Sequence, residues 1–344
     1  MSAIRPTADA GGDTGGGTCP PRPGAASVRR SAAVLALVAL AALVPLLGPP
    51  VVLRGTGEAA APGVGGIALL RAVLFAAVSV SAGEVFVARL VRRVPGAPHG
   101  DVPRGWAPAA AAAGFAAALG LASVVATGNL VPRSLSDMDI GGLYQSRDGA
   151  LALLEVNAFV VLGLCALSRR PAAQVWPLAA IVAAEALRAH PVTEPSPLAG
   201  SGLTLVHVTC AALWTGGLLY VLRTLLRWRH TAPGEGAALL GLYARVAAVL
   251  LAVITATGVC STLRRMPPGT VLDQLTTTAY GRTLLAKVLL VVAVALLALW
   301  ARRRLHRAAE PLTAYSPARA EVVVLGLVIA VSAVLTAVPV PIRW

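Results

Sequence analysis

The chain has 344 residues, of which 57% are hydrophobic and only 13% are charged, and its mean hydropathy is +0.76. These values exclude an ordinary soluble domain and predict an integral membrane protein. The formal net charge of +14 would suggest nucleic-acid binding in a soluble chain. Here the Arg residues lie mainly in short gaps between apolar runs, as the positive-inside rule requires, so we expect no nucleic-acid partner.

The amino-terminal part of the chain is rich in Gly, Pro and Ala and has no apolar period. We predict a disordered cytoplasmic tail over residues 1–30. The first apolar run, 31–53, is long enough at ~1.5 Å per residue to cross a hydrocarbon core of ~30 Å. Its flanks resemble those of a signal peptide, but the run is longer than the usual signal core, so we favour an uncleaved span.

Eight further apolar runs predict an all-α fold, a polytopic transmembrane bundle of about nine helices, with eight as the alternative count. The least secure run is 174–189, which is short and contains Pro177, Glu185 and Arg188. Residues 31–190 would form helices one to five, and residues 191–344 would form helices six to nine. The eight runs are 66–90, 106–127, 149–167, 174–189, 201–222, 237–260, 282–301 and 321–338.

The connections between the runs predict the orientation of the bundle. One set of alternate connections, which includes the amino-terminal tail, holds 18 Arg residues, and the other set holds 8. This bias predicts a multi-pass protein of the cell membrane, surrounded by membrane lipid, with its amino terminus inside and its carboxyl terminus outside.

The sixth run carries chemically distinctive side chains on one helical face. His207, Cys210 and Trp214 lie at offsets 0, 3 and 7, which places all three on the same side of a helix. We expect Trp214 to pack against Gly216 and Gly217, because glycines allow close helix approach in membranes.

Several other polar residues map to the same outer half of the membrane under this topology. Ionisable groups at that depth are costly and usually face a polar cavity, so we predict one polar pocket open to the outside. The carboxylates could instead form structural ion pairs with Arg188 or with Lys287, which is the single lysine of the chain. The residues assigned to the pocket are Glu155, Glu185, His190, His207, Cys210, Cys260 and Lys287.

Imidazole, thiol and thioether groups together suit copper, as Cu(I) or Cu(II). The candidate copper ligands are His207, His190, Cys210, Cys260 and Met266. Each has a structural alternative: a histidine bonded to another helix, a cysteine that only packs, or a methionine at the surface. The cysteines show no zinc-like spacing and no disulfide framework.

Two motifs resemble the copper resistance protein D (CopD) family. The segment 207–218, with His207, Trp214 and Gly216-Gly217, resembles the His/Trp-Gly-Gly helix of that family. The segment 278–287 is similar to the family's Thr-x-Tyr-Gly-Arg-x-Leu-Leu-x-Lys signature. The resemblance extends over about 184–341, although His190 lacks the Gly-His-Ala context that is common in the family.

The resemblance implies a membrane protein of copper handling that imports copper or confers copper tolerance. It implies a separate extracytoplasmic copper-binding partner of the copper resistance C type. In the second motif we expect Tyr280 to anchor at the membrane interface. Arg282 and Lys287 would place positive charge beside the pocket, where they tune the carboxylates or the imidazole and bind no metal.

Two other functions are compatible with the sequence. A haem-carrying or quinone-linked electron-transfer protein would need two facing histidines for bis-His ligation, and only His207 lies clearly within the membrane. A factor that assists assembly of a copper enzyme, such as a terminal oxidase, would need no transport route. No nucleophile–base pair, phosphate loop or nucleotide motif is visible, so we expect no enzymatic activity. The sequence leaves the oligomeric state open.

Overall fold

The protein's structure is a computed structural model that describes residues 41–59, 61–103, 105–128, 131–132, 134–168, 170–191, 196–266, 268–307 and 315–339. Across these ranges the chain is helical and contains no β-strand, which confirms the predicted all-α class. The tail predicted over 1–30 and the first part of the apolar run 31–53 lie outside the described residues.

Helices occupy the described part of every predicted apolar run. Six of them are long and apolar enough to cross a membrane, which makes this a multi-pass membrane protein. Nine spans and an inside amino terminus remain predictions. The six long helices are α2 (Val64–Val91), α3 (Ala107–Ala126), α5 (Arg147–Leu167), α7 (Pro197–Trp228), α8 (Pro233–Arg265) and α10 (Ala279–Arg307). The other runs correspond to α1 (Ala41–Leu53), α6 (Val175–Arg188) and α11 (Tyr315–Ala337).

The structure adds two short helices in the connections, α4 (Ile140–Gln145) and α9 (Val271–Thr277). It also makes α7 and α8 longer than their apolar runs, at 32 and 33 residues. Both helices begin with a proline, Pro197 and Pro233, which fits the first helical position because its missing N–H has no partner there.

The centre of the bundle is a close backbone contact between α2 and α7. A Cβ added to Gly216 would lie 1.7 Å from the carbonyl oxygen of Ser79, and one added to Gly83 would lie 2.2 Å from the Gly216 carbonyl carbon. The space beside Gly216 is filled by α2, and the space beside Gly217 by the side chains of Phe86 and Tyr243, so these glycines permit close helix approach. Trp214 is buried and lines the internal cavity described below, and its carbonyl oxygen accepts a 2.6 Å hydrogen bond from the Tyr243 hydroxyl.

The remaining helices surround this central pair. α3, α5 and α6 continue the bundle on one side, with α3 packed on α2 and α5, and α6 packed on α5 and α7. On the other side α8 packs on α7, and α10 packs on α11, which itself packs on α2 and α7. Among the described residues, α8 and α10 share no extensive contact with each other, so a gap separates them.

Candidate functional site

A cavity of about 220 Å³ lies between α2, α7, α8, α10 and α11. One part of its wall is apolar, and the other part carries hydroxyl, imidazole and cationic groups. Within the described part of the chain, no carboxylate and no sulfur atom belongs to this wall. The polar lining residues are Ser79, Thr204, His207, Thr215, Ser261, Thr262, Arg265, Tyr280, Lys287, Ser332 and Thr336.

Two facing stripes of residues form the sides of the cavity. On α8 they run from Ile254 through Gly258 and Thr262 to Arg265, at the three- and four-residue spacing of one helical face. On α10 the stripe is Tyr280, Leu284, Lys287 and Val291, with the same spacing. Because α8 and α10 do not pack on each other, these stripes face one another across the cavity.

His207 lies on the α7 wall, and its ring is held in one orientation by α8. Its Nδ1 is 3.0 Å from the Thr257 hydroxyl oxygen, which in turn donates to the Val253 carbonyl at 2.8 Å. A hydroxyl has one proton to donate, so the Thr257 oxygen acts as the acceptor and His207 Nδ1 as the donor. The lone pair on His207 Nε2 then remains available for a ligand.

His190 lies next to the cavity but does not line it. The residue follows α6 and is buried, with its ring packed so closely on Gly200 that a Cβ there would be 2.5 Å from Nδ1. Its Nε2 is 2.9 Å from the hydroxyl oxygen of Thr204, a lining residue one helical turn before His207. The two histidines are thus neighbours through Thr204.

Lys287 lies on the α10 wall of the cavity, as expected for a residue near the depth of His207. Its ammonium has no hydrogen-bond or ion-pair partner among the residues that the structure describes. The predicted alternative, a pair with Glu155 or Glu185, does not form among the described residues, because both carboxylates contact Arg188 instead.

Glu155 and Glu185 belong to a separate group, the ion-pair cluster, with Arg71 and Arg188. Arg188 Nη2 lies 2.8 Å from a Glu155 carboxylate oxygen and also contacts the Glu185 carboxylate. Arg71 of α2 lies within electrostatic range of both carboxylates and donates to the Thr336 carbonyl at 3.2 Å. The cluster holds two carboxylates and two guanidinium groups, and it is buried between α2, α5 and α6.

The sulfur-bearing candidate ligands lie away from the cavity wall. Cys210 packs against the apolar core around Trp214, and Cys260 is exposed on α8. Met266 is fully buried beside Tyr280 and Val334. It therefore lies neither at the surface nor in the cavity wall. Across the described ranges no three His, Cys, Asp or Glu side chains are close enough to hold one metal ion. The residues that the sequence assigned to one polar pocket therefore lie in several separate parts of the structure.

The second motif has two structural roles at the end of the bundle. Gly281 permits the turn between α9 and α10, because a Cβ there would lie 1.9 Å from the Gln274 carbonyl oxygen. Tyr280 is buried and lines the cavity, with the Arg265 guanidinium 5.8 Å from its ring centre. Arg282 is outside the cavity wall, since its Nη1 donates to the Arg54 carbonyl at 2.7 Å, where α1 ends.

Arg265 and Thr257 were missed by sequence reasoning. Arg265 follows Arg264, and nothing in the pair indicates which side chain turns inward. The structure places Arg265 in the cavity wall, whereas Arg264 is bonded to the Ser196 carbonyl at 2.9 Å. Thr257 lies fifty residues after His207, and this spacing gives no signal that the two side chains are in contact.

The apolar helices and the internal polar cavity define a multi-pass membrane protein of α-helical type. The sequence model of the family described as Copper resistance protein D matches residues 237–335. This match covers α8, α9, α10 and most of α11, which is less than a third of the chain, and it confirms the resemblance over that part. Arg265, Tyr280 and Lys287 lie inside the matched segment, and His207 lies before it. No curated protein and no solved structure matches the chain.

Proposed function

We propose that this chain passes copper ions across the cell membrane, with His207 as a binding site on the route. The position of His207 carries the proposal: its imidazole lines the cavity, and the Thr257 bond to Nδ1 leaves Nε2 for a ligand. Imidazole nitrogen accepts copper in either oxidation state. The match of residues 237–335 to a copper resistance family supports copper as the cargo.

Weak binding suits this role, because a conducting site must release the ion it accepts. A single imidazole supplies one strong ligand, and the nearby Lys287 ammonium disfavours a cation. His190 extends the route as a second imidazole reached past Thr204. The proposed route assigns no ligand role to Cys210, Cys260 or Met266, and transport along it needs no catalytic step.

We further propose import as the direction, with a separate extracytoplasmic copper-binding protein of the copper resistance C type as donor. Alternating Arg content of the connections supports an orientation in which Arg265 and Tyr280 lie at the outer end of the bundle. The cavity would then receive copper from outside.

The test is copper uptake into liposomes that contain the purified chain and an internal Cu(I)-responsive dye. His207→Ala should reduce uptake to near the rate of empty liposomes, because it removes the lone pair on the route. His99→Ala is the matched control, since His99 is exposed in a short 3-10 helix away from the cavity. Uptake by folded His207→Ala at the wild-type rate would contradict the proposal.

Measurements in cells distinguish copper transport from a role in the assembly of a copper enzyme. Under copper load, cells that express the wild-type chain should accumulate more copper than cells that express His207→Ala. An oxidase defect in cells lacking the protein, with unchanged copper accumulation, would favour a factor for assembly of a copper enzyme instead.

A further inference from the structure

The cavity contains more positive charge than a copper route requires. Lys287 and Arg265 both belong to its wall, and no carboxylate does within the described residues. Arg265 lies over the Tyr280 ring, and Lys287 has no charged partner in the same part of the chain. Cations inside a bilayer are costly unless a counter-charge is near, so this arrangement favours an anionic ligand.

The cavity also lies beside the gap between α8 and α10. Its α8 and α10 walls do not pack on each other, and both helices are among the least buried of the long apolar helices. Beside Lys287, the side chains of Val288 and Leu289 are exposed at the outer surface of α10, which is the surface that lipid covers. A molecule in the hydrocarbon layer can therefore reach the gap between the two helices.

The cavity wall changes from polar to apolar along the membrane normal. Arg265, Thr262 and Lys287 lie toward the end where α8 finishes and α10 begins. Val291, Leu325 and Val328 line the deeper part. The volume of about 220 Å³ is below the ~300–1,000 Å³ of sites that enclose a whole ligand, so part of the ligand would extend out of the gap.

We propose that the gap between α8 and α10 is a binding site for an anionic phospholipid. Arg265 and Lys287 hold its phosphate. Its acyl chain lies against Val291 and Val328 and continues into the bilayer. Guanidinium and ammonium groups are the side chains that bind phosphate most strongly, and the open gap admits the chain. This site uses neither His207 nor copper, so it does not depend on the proposed transport.

The experiment compares lipid binding to the full-length chain in detergent by native mass spectrometry. The probes are phosphatidylglycerol and phosphatidylcholine with identical acyl chains, and inorganic phosphate. We expect phosphatidylglycerol to bind at least about tenfold more tightly than phosphatidylcholine, which is the effect of one charge-assisted contact. Arg265→Gln and Lys287→Gln should each remove about tenfold of that affinity.

Arg264→Gln is the matched control, because Arg264 is adjacent in sequence and bonded to the Ser196 carbonyl instead of facing the cavity. It should bind phosphatidylglycerol like the wild type. Size-exclusion profiles and melting temperatures identify any variant that fails to fold, and either cavity variant alone suffices for the test. Equal binding of the two phospholipids, or equal losses in Arg264→Gln and Arg265→Gln, would overturn the proposal. Displacement of phosphatidylglycerol by millimolar inorganic phosphate would also overturn the proposal, because it would show that the site recognises the anion alone and not the acyl chain.

Discussion

Two polar regions of this bundle, the ion-pair cluster and the cavity, differ in charge compensation. The ion-pair cluster places Glu155 and Glu185 against Arg188, with Arg71 nearby, so its charges balance inside the protein. The cavity has cationic groups and an imidazole without any carboxylate in its described wall. Charges that are compensated within the protein join neighbouring helices, whereas uncompensated cationic groups in a cavity wall favour the binding of a ligand.

The two regions also differ in their helix packing. The cluster lies where α5 and α6 pack tightly together, and the cavity lies where α8 and α10 stay apart. Arg71 links them, because it lies within electrostatic range of the cluster carboxylates and donates to the carbonyl of Thr336, which lines the cavity.

The largest expected effect is a break in the ion-pair cluster. Arg188→Met removes the partner of two buried carboxylates and should lower the free energy of unfolding by about 3–5 kcal/mol. The measurement is chemical or thermal unfolding in detergent. Arg227→Gln is the control, because Arg227 and Asp101 form a solvent-exposed pair at 2.6 Å, which should contribute about 1 kcal/mol or less. If Arg188→Met and the control variant had equal free energies of unfolding, the buried ion-pair cluster would contribute no more to stability than an exposed pair.

A substitution at the contact between α2 and α7 should have the next largest effect. Gly216→Val places side-chain atoms where the Ser79 carbonyl lies, so α2 and α7 must separate, at a cost of about 1–3 kcal/mol or more. Gly241→Ala on α8 is the control, since nothing lies within 4 Å of its Cβ position. That control should stabilise the protein by about 0.5–1 kcal/mol. A well-folded Gly216→Val protein with wild-type stability would show that the central contact is dispensable.

The third prediction concerns the histidine of the cavity. Thr257→Val keeps the shape of the side chain and removes the acceptor that fixes His207 Nδ1. Loss of such an orienting contact typically lowers metal affinity by about 10–100-fold, and we expect the lower end here. A Cu(I) competition titration with a chromogenic chelator measures it. Copper affinity unchanged by Thr257→Val, with folding intact, would mean that this hydrogen bond does not orient a copper ligand.

The smallest expected change in the free energy of unfolding is at Lys287. Its substitution is therefore compared directly with Arg188→Met. Lys287→Met removes a cation that has no partner in the described structure, so the free energy of unfolding should change by less than about 1 kcal/mol. The same variant should bind copper more tightly, because it removes a repulsive charge. A loss of stability as large as that of Arg188→Met would show that Lys287 has a structural partner.

Most of the fold could be predicted from the sequence, because a bilayer requires long apolar helices and these appear directly as apolar runs. The positions of α2, α3, α5 and α10 follow from that pattern with small shifts at their ends. The short helices α4 and α9 could not be predicted in this way, since they lie in connections and are too short for a clear period.

The cavity could be predicted only in part. Depth along the membrane normal follows from the sequence, and it predicted that Lys287 lies near the level of His207; both residues line the cavity. Depth does not determine the side of the bundle on which a residue lies, so Glu185 was assigned to the same pocket. The choice between Arg264 and Arg265 depends on the rotation of α8, and only tertiary packing sets that rotation.

X-ray absorption spectroscopy at the copper edge of the loaded, purified protein tests the central claim most directly. We expect imidazole nitrogen scattering in the wild type and in His99→Ala, no sulfur shell, and a weaker imidazole signal in His207→Ala, in which only His190 remains on the route. A sulfur shell that persists in His207→Ala would contradict this expectation, because copper would then bind at the cysteine or methionine side chains outside the cavity wall.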